Sequence, residues 1–326
     1  MFESYFGFTA QPFQLSPDPA FFFASRGHKR AYSYLQYGLY QGEGFIALTG
    51  EIGAGKTTLI RSLLASLDPG KVFAAQLVST QLDADSLLRA VATAFGISVR
   101  EQSKARVLAE LEAFFISLVT KGKRALLIVD EAQNLAPEAV EELRMLSNFQ
   151  IQNRTLLQSF LVGQPELRQL MRSSSMQQLR QRVIATYHLG QLDADETRAY
   201  IEHRLTQVGW KGNPAFEEPV FDLIHAHAGG VPRRINTLCT RALLATFLAE
   251  KHVVTKEDVQ HVITEFSEEF GEEIAADEPG TEPAASFGLM DLEKRVHGVE
   301  RAMNLTVNLL RQLIRRQGET RTTPPG

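Results

Sequence analysis

The chain has 326 residues, 44% of them apolar and 22% charged, enough for a sizeable core and one main domain with appendages. A net charge of −4 excludes nucleic-acid binding through bulk positive charge and leaves at most a local basic patch. A single cysteine, Cys239, excludes an intrachain disulfide and reads as a small buried residue in a reducing compartment.

No stretch approaches the ~18–20 consecutive apolar residues of a membrane-spanning helix. The opening, MFESYFGFTAQPF, lacks the basic-then-apolar order of a secretory signal, so a cytoplasmic protein is expected. Residues 1–26 are rich in aromatics and prolines, among them Tyr5, Phe6, Phe8, Phe13, Phe21, Phe22 and Phe23. They read as an ordered but irregular segment with its rings packed on the domain that follows. Residues 28–40 carry Ala31, Leu35 and Leu39 at helical spacing.

The stretch FIALTGEIGAGKTT, residues 45–58, organises the rest. Its apolar start is a buried strand, and Lys56 opens a helix. Gly50, Gly55, Lys56 and Thr57 fill the pattern G-x-x-x-x-G-K-[ST], a phosphate-binding loop. The glycines let successive N–H groups turn inward around a phosphate, and the helix N-terminus adds partial positive charge. Gly50, Glu51, Ile52, Gly53, Ala54, Gly55, Lys56, Thr57 and Thr58 are therefore the expected nucleotide-binding set. Lys56 reaches the β- and γ-phosphates, and the Thr57 hydroxyl ligates Mg²⁺. The aromatic segment upstream either only packs or also flanks the adenine.

A strand over 72–78, helices over 84–95 and 103–120, and the run ALLIVDEAQ at 125–133 follow. The continuous apolar part of that run suits a central parallel strand buried on both faces. Its two carboxylates stand at the strand's C-terminal end, where open α/β sheets bind ligands. Asp130 is expected to hold the magnesium through water, and Glu131 to polarise the attacking water. A helix beginning at Pro137 leads to a further strand, 156–162, with Gln164 at its tip as the candidate γ-phosphate sensor. Arg180 and Arg182 precede a fifth strand. An arginine there can face a neighbouring subunit's nucleotide, where such a charge is worth about 10³–10⁵ in rate. From Asp193 the pattern is wholly helical: 194–208, 219–228, 233–249 and 256–266. Arg233 starts a helix, the end at which a positive charge is disfavoured, so it is read as a phosphate contact from this lid.

The expected fold class is α/β: a P-loop NTPase with a five-stranded parallel sheet flanked by helices, a small helical lid and a C-terminal helix. The boundaries are 1–190 for the aromatic segment and core, 191–266 for the lid, 267–286 for an acidic disordered linker, 287–317 for a heptad helix and 318–326 for a disordered tail. The heptad helix reads as a coiled coil or a partner-binding amphipathic helix.

Several stretches carry a resemblance beyond the phosphate loop: FGFTAQPFQLSPDPAFFFASRGHKRAYSYLQYGL, GFIALTGEIGAGKTTLIR, LLIVDEAQNL, EELRMLSNFQ, FLVGQPELR, LRQRV and GGVPRRINTLC. Together they resemble AAA+ ATPases of the general secretion pathway protein A family, over roughly residues 1–266. Within that family the chain looks most like the secretion ATPase of exosortase/PEP-CTERM loci of the XrtA type. The resemblance implies that Lys56 and Thr57 belong to Walker A, Asp130 and Glu131 to Walker B, Gln164 to sensor 1, Arg182 to a trans-acting finger and Arg233 to sensor 2. Gln164 stands where broader AAA+ proteins carry asparagine or threonine. The resemblance also implies ATP and Mg²⁺ as cofactors and self-association into a ring or partial ring. The role expected is ATP hydrolysis coupled to assembly or operation of an envelope protein-sorting or exopolysaccharide export system. Its partners would be membrane-associated export proteins met through the C-terminal helix, with a peripheral position at the inner membrane. Two alternatives stay open: a DNA-associated AAA+ regulator related to transposition ATPases, and a nucleotide-dependent scaffold.

Overall fold

The computed structural model describes residues 2–78, 82–99, 103–152, 154–173 and 176–270. Met1–Val262 form one compact unit; of the second, Ile263–Gly326, only residues 263–270 are described. The expected heptad helix at 287–317 and the tail after it lie outside the described residues, as does the linker beyond 270.

The chain opens with a short helix α1 (Phe2–Phe6) and a 3-10 turn (Pro19–Phe21), the latter capped by Asp18, whose carboxylate accepts from the Ala20 N–H at 2.9 Å. Helix α2 (Arg26–Gln41) is capped by Ser25, whose hydroxyl accepts from the His28 N–H. Then come β1 (Phe45–Gly50), α3 (Lys56–Ser66), β2 (Val72–Val78), α4 (Ala84–Ala94), α5 (Lys104–Thr120), β3 (Arg124–Asp130) and α6 (Pro137–Leu146). Two short antiparallel strands, β4 (Gln150–Ile151) and β5 (Arg154–Thr155), lead into β6 (Leu157–Gly163), α7 (Glu166–Arg172), α8 (Gln177–Arg180) and β7 (Val183–Leu189).

The five long strands form one parallel sheet in the order β2-β3-β6-β1-β7. Successive side chains on its central strands serve opposite faces. Phe45, Ala47, Leu127, Val129, Leu157 and Leu161 pack against α4, α5 and α6, where Leu88, Phe115 and Leu143 are buried. Ile46, Leu48, Leu126, Ile128, Phe160 and Val162 pack against α2 and α3 through Ala31, Leu35, Leu59, Ile60 and Leu63. Burial on both faces is why these strands read as unbroken apolar runs. Each fully buried Leu or Phe contributes about 1.5–3 kcal/mol before conformational entropy is counted. β1 and β3 are thereby held firmly where they end, and their ends carry the chemistry.

The lid comprises α9 (Ala194–Gln207), β8 (Ala215–Phe216), α10 (Glu218–Ala228), α11 (Pro232–Leu248), β9 (Val253–Val254) and α12 (Lys256–Phe270). It is not wholly helical: β8 and β9 pair in parallel. Two residues apiece are too few to show strand periodicity in a sequence. Helix α12 runs four residues past the expected end at 266, into the acidic stretch read as linker. The N-terminal segment also departs from expectation. It is partly helical, and its rings reach the lid as well as the core: Tyr5 packs on Phe247 and His252, and Phe23 on Tyr200 and His203. At the other boundary, Arg26 at the start of α2 pairs with Asp193, and its N–H donates to Glu196 of α9 at 2.7 Å.

Candidate active site

The loop between β1 and α3 wraps the first turn of α3. Lys56 is buried, and its ammonium donates to the Gly50 carbonyl at 2.6 Å and the Glu51 carbonyl at 2.9 Å. Burial pushes the Lys56 pKa down, while the nearby Glu131 and Asp130 carboxylates oppose that shift. The lid meets the loop at Gly53. Gly53 has φ +83°, and the Arg233 N–H at the start of α11 donates to its carbonyl at 3.2 Å. A Cβ on Gly53 would come within 2.3 Å of the Arg233 Cβ, so only glycine fits here without displacing α11. Pro232 occupies the first turn of α11, where its missing N–H leaves no bond unmade.

The strand order brings the remaining groups to the loop. β6 lies between β3 and β1, with Val129 opposite Leu161 and Leu161 opposite Ala47. The tips of three adjacent strands thus carry the phosphate loop, Gln164 and the Asp130-Glu131 pair. The Thr57 hydroxyl donates to Asp130 Oδ2 at 3.2 Å, and Asp130 Oδ1 accepts from the Glu131 N–H at 3.0 Å. Burial raises the Asp130 pKa against the effect of those hydrogen bonds and Lys56.

Glu131 sits at φ +52°, in the left-handed region that non-glycine residues rarely adopt. Its Oε2 accepts from Gln133 Nε2 at 2.6 Å and from Gln164 Nε2 at 3.1 Å, and Gln133 Oε1 in turn accepts from the Gln164 N–H at 3.0 Å. Burial alone would push the Glu131 carboxyl up. The two amide donors and the Lys56 charge outweigh it and hold the carboxyl below its usual range, hence ionised at neutral pH. Gln133 was not a sequence candidate. Nothing in the run ALLIVDEAQ distinguishes its side chain until the turn after β3 bends it back toward Glu131.

Beside the loop lies a cavity of about 310 Å³. Lys56, Thr57, Glu131 and Arg233 line it together with Phe21, Phe22, Leu192, Tyr200, Arg204 and Asn236. The aromatic N-terminal segment therefore does reach the cavity, through Gln14–Asp18 and the three phenylalanines at 21–23. Arg204 is a second residue that sequence reasoning missed. In RLTQVGW it reads as a basic residue on an amphipathic helix, yet it is buried against Phe21.

Arg182 is not brought to this site. Its carbonyl accepts from the N–H of Phe45, at the opposite end of β1 from Gly50. A strand rising about 3.3 Å per residue puts it roughly 20 Å from its own phosphate loop. Its guanidinium donates to Ser147 Oγ at 2.7 Å, and Arg180 donates to the carbonyls of Met171 and Arg172.

Residues 39–171 match the family described as AAA domain. Over those residues the chain has the fold of an AAA domain. It is 37% identical over 268 residues to General secretion pathway protein A of Aeromonas hydrophila. That match covers 82% of this chain and 49% of the relative, so the chain spans about half the relative's length. Among solved structures, the ORC2 protein of Aeropyrum pernix superposes with a TM-score of 0.62 at 19% identity, covering 78% of this chain and 71% of that one. CDC6P from Pyrobaculum aerophilum gives 0.60 at 16%, covering 78% and 70%. At such identities the likeness is one of fold, and it agrees with the parallel sheet and lid described above.

The residues of this AAA domain fit a magnesium–nucleotide pair. A hydroxyl and a carboxylate already in contact, Thr57 and Asp130, offer hard oxygen donors. Among the described residues no group of three or more His, Cys, Asp or Glu makes an all-protein metal cage. A magnesium ion held by Thr57 and Asp130 would complete its shell with phosphate oxygens and water. No helix of the described residues is long and apolar enough to cross a membrane.

Proposed function

We propose that this AAA ATPase couples Mg²⁺-dependent ATP hydrolysis to the assembly or operation of an envelope protein-sorting or exopolysaccharide export system, acting from the cytoplasm at the inner membrane. The observation that carries the hydrolytic part is the convergence of Lys56, the Thr57–Asp130 pair and the Gln164-held Glu131 on one loop. The similarity to General secretion pathway protein A supports the secretion part. Bound magnesium would neutralise phosphate charge. Lys56 contacts the β- and γ-phosphates, and Glu131, ionised and aimed by two amides, orients a water and accepts its proton. Gln164 links Glu131 to the γ-phosphate, and Arg233 brings the lid onto the nucleotide.

Because Arg182 lies at the far end of the sheet from its own loop, its role is toward the site of a neighbouring copy, in a ring or partial ring. The segment 287–317 is the proposed contact with the membrane-associated export proteins. A net charge of −4 weighs against the DNA-associated alternative, which requires DNA affinity that falls steeply with salt.

Steady-state phosphate release with Mg²⁺ tests the hydrolytic proposal. Lys56→Ala is expected to abolish turnover. Glu131→Gln is expected to lower it by about 10²–10³ while ATP still binds. Unchanged turnover in either variant would remove the mechanism.

A further inference from the structure

We propose that His28, in the first turn of α2, is a positioning residue for the phosphate loop: it holds the Ala54 peptide so that the Gly55 N–H is turned toward the phosphates before they arrive. The inference rests on the reading of the loop as an ATP site and deepens it by naming a residue outside the motif that shapes it.

His28 is buried, and it lines the cavity beside Gly53, Gly55, Lys56 and Thr57. One side of its ring is fixed by Ser25. The Ser25 hydroxyl accepts from the His28 backbone N–H at 3.2 Å and lies 2.7 Å from the ring Nδ1. The other side faces the loop. Nε2 is 2.8 Å from the position that a Cβ on Gly55 would take, and the Ala54 carbonyl acts on the ring as a hydrogen-bond acceptor. Phe22 meets the ring edge-on, with centroids 5.7 Å apart. Burial pushes the His28 pKa down, against the pull of the Ala54 carbonyl and of the Glu196 charge on α9, so the imidazole is neutral at neutral pH. A neutral imidazole carries one N–H. The tautomer that satisfies both sides has it on Nε2, toward Ala54, with Nδ1 accepting from the Ser25 hydroxyl.

The loop needs such a hold. Gly53 and Gly55 have φ +83° and +95°, and a backbone this rich in glycine samples many shapes unless its surroundings fix one. Several of its carbonyls have partners elsewhere. Gly50 and Glu51 accept from Lys56, Gly53 from the Arg233 N–H, and Gly55 from the Leu59 N–H. Ala54 is served from α2, by His28. The C=O and N–H of a trans peptide point opposite ways, so a carbonyl drawn to His28 turns the Gly55 N–H away from α2. A donor fixed in advance binds phosphate without the cost of being ordered at that moment.

Calorimetric titration of the full chain with Mg²⁺ and either ATP or inorganic tripolyphosphate tests the proposal. His28→Leu fills the space without a donor and is expected to weaken both ligands alike, by about tenfold, the worth of one hydrogen bond that shapes the loop. His28→Gln returns an amide N–H near the place of Nε2 and is expected to recover both affinities to within about threefold of wild type. A loss confined to ATP in His28→Leu would assign His28 to the base and overturn the proposal. Equal losses in His28→Leu and His28→Gln would overturn it too, as would wild-type affinity in His28→Leu. A second measurement needs no variant to fold: nitrogen NMR of the wild-type His28 ring at neutral pH is expected to place the proton on Nε2. A proton on Nδ1 instead would remove the donor and the proposal with it. If neither ligand binds the wild-type chain, the ATP reading itself fails and the inference with it; if both bind wild type and His28→Leu equally well, only the inference falls.

Discussion

Glu131 shows how much of a site can depend on one residue's surroundings. It occupies a left-handed backbone conformation, which costs a non-glycine residue of order 1–3 kcal/mol and persists only where neighbours over-determine it. Gln133 and Gln164 supply that determination by holding the same carboxylate oxygen. Their amide donors hold the Glu131 pKa below its ordinary value, so the carboxylate stays charged as pH falls until it passes the folded-state value. Removing a donor raises that value. Gln164→Leu is therefore expected to move the acid limb of the ATPase pH profile to higher pH, with turnover down about tenfold. An acid limb that stays in place would show that another group controls it. The Asp130-Glu131 pair was legible as consecutive carboxylates after an apolar run. The tie to Gln133 was not, because a side chain's partner across a turn depends on backbone angles that local composition does not encode.

At the scale of elements, two junctions make the site. One is the insertion of β6 between β3 and β1, which places Gln164 beside Glu131 although 33 residues separate them. The other is the landing of α11 on the phosphate loop at Gly53. Substituting Gly53 by Ala adds two penalties: a strained φ, and a clash with the Arg233 Cβ. Gly96 has nearly the same φ, +81°, and nothing within 4 Å of the position a Cβ would take. Gly96→Ala should therefore carry the conformational penalty alone, about 1 kcal/mol. Gly53→Ala should lose more stability in thermal denaturation and should also weaken ATP binding, because α11 is pushed off the loop. Equal effects of the two substitutions would mean that the lid yields freely at this junction. The close approach could not be read from the loop motif, which accounts for Gly53 by the phosphate alone.

For the whole molecule, Arg182 is the residue whose position bears on assembly. Six residues of β1 separate it from its own phosphate loop, and it rests on Ser147 at the end of α6. If it serves a neighbour's site, Arg182→Ala should bind ATP but lose turnover, by up to about 10³-fold for an arginine that meets a transferring phosphoryl group. Mixing it with Glu131→Gln should restore part of the activity, because the interface that sets the Arg182→Ala chain's site against the Glu131→Gln chain's arginine has both groups intact. Phosphate release measured across mixing ratios checks this, and activity no greater than the sum of the separate variants would exclude a shared site.

The phosphate loop, the carboxylates after β3 and the central strands are legible from the residues alone, because each is a local pattern. Glycine spacing, a lysine at a helix start and unbroken apolar runs are set by backbone sterics and by burial on both faces of a parallel sheet. The β8–β9 pair, the reach of the N-terminal rings to the lid and the burial of Arg204 were decided only by tertiary structure. Each depends on segments far apart in the chain meeting, and no window of residues records that. A parallel sheet puts a residue that precedes a strand at the end away from the chemistry, and the pairing of Arg182 with Phe45 shows that it stays there.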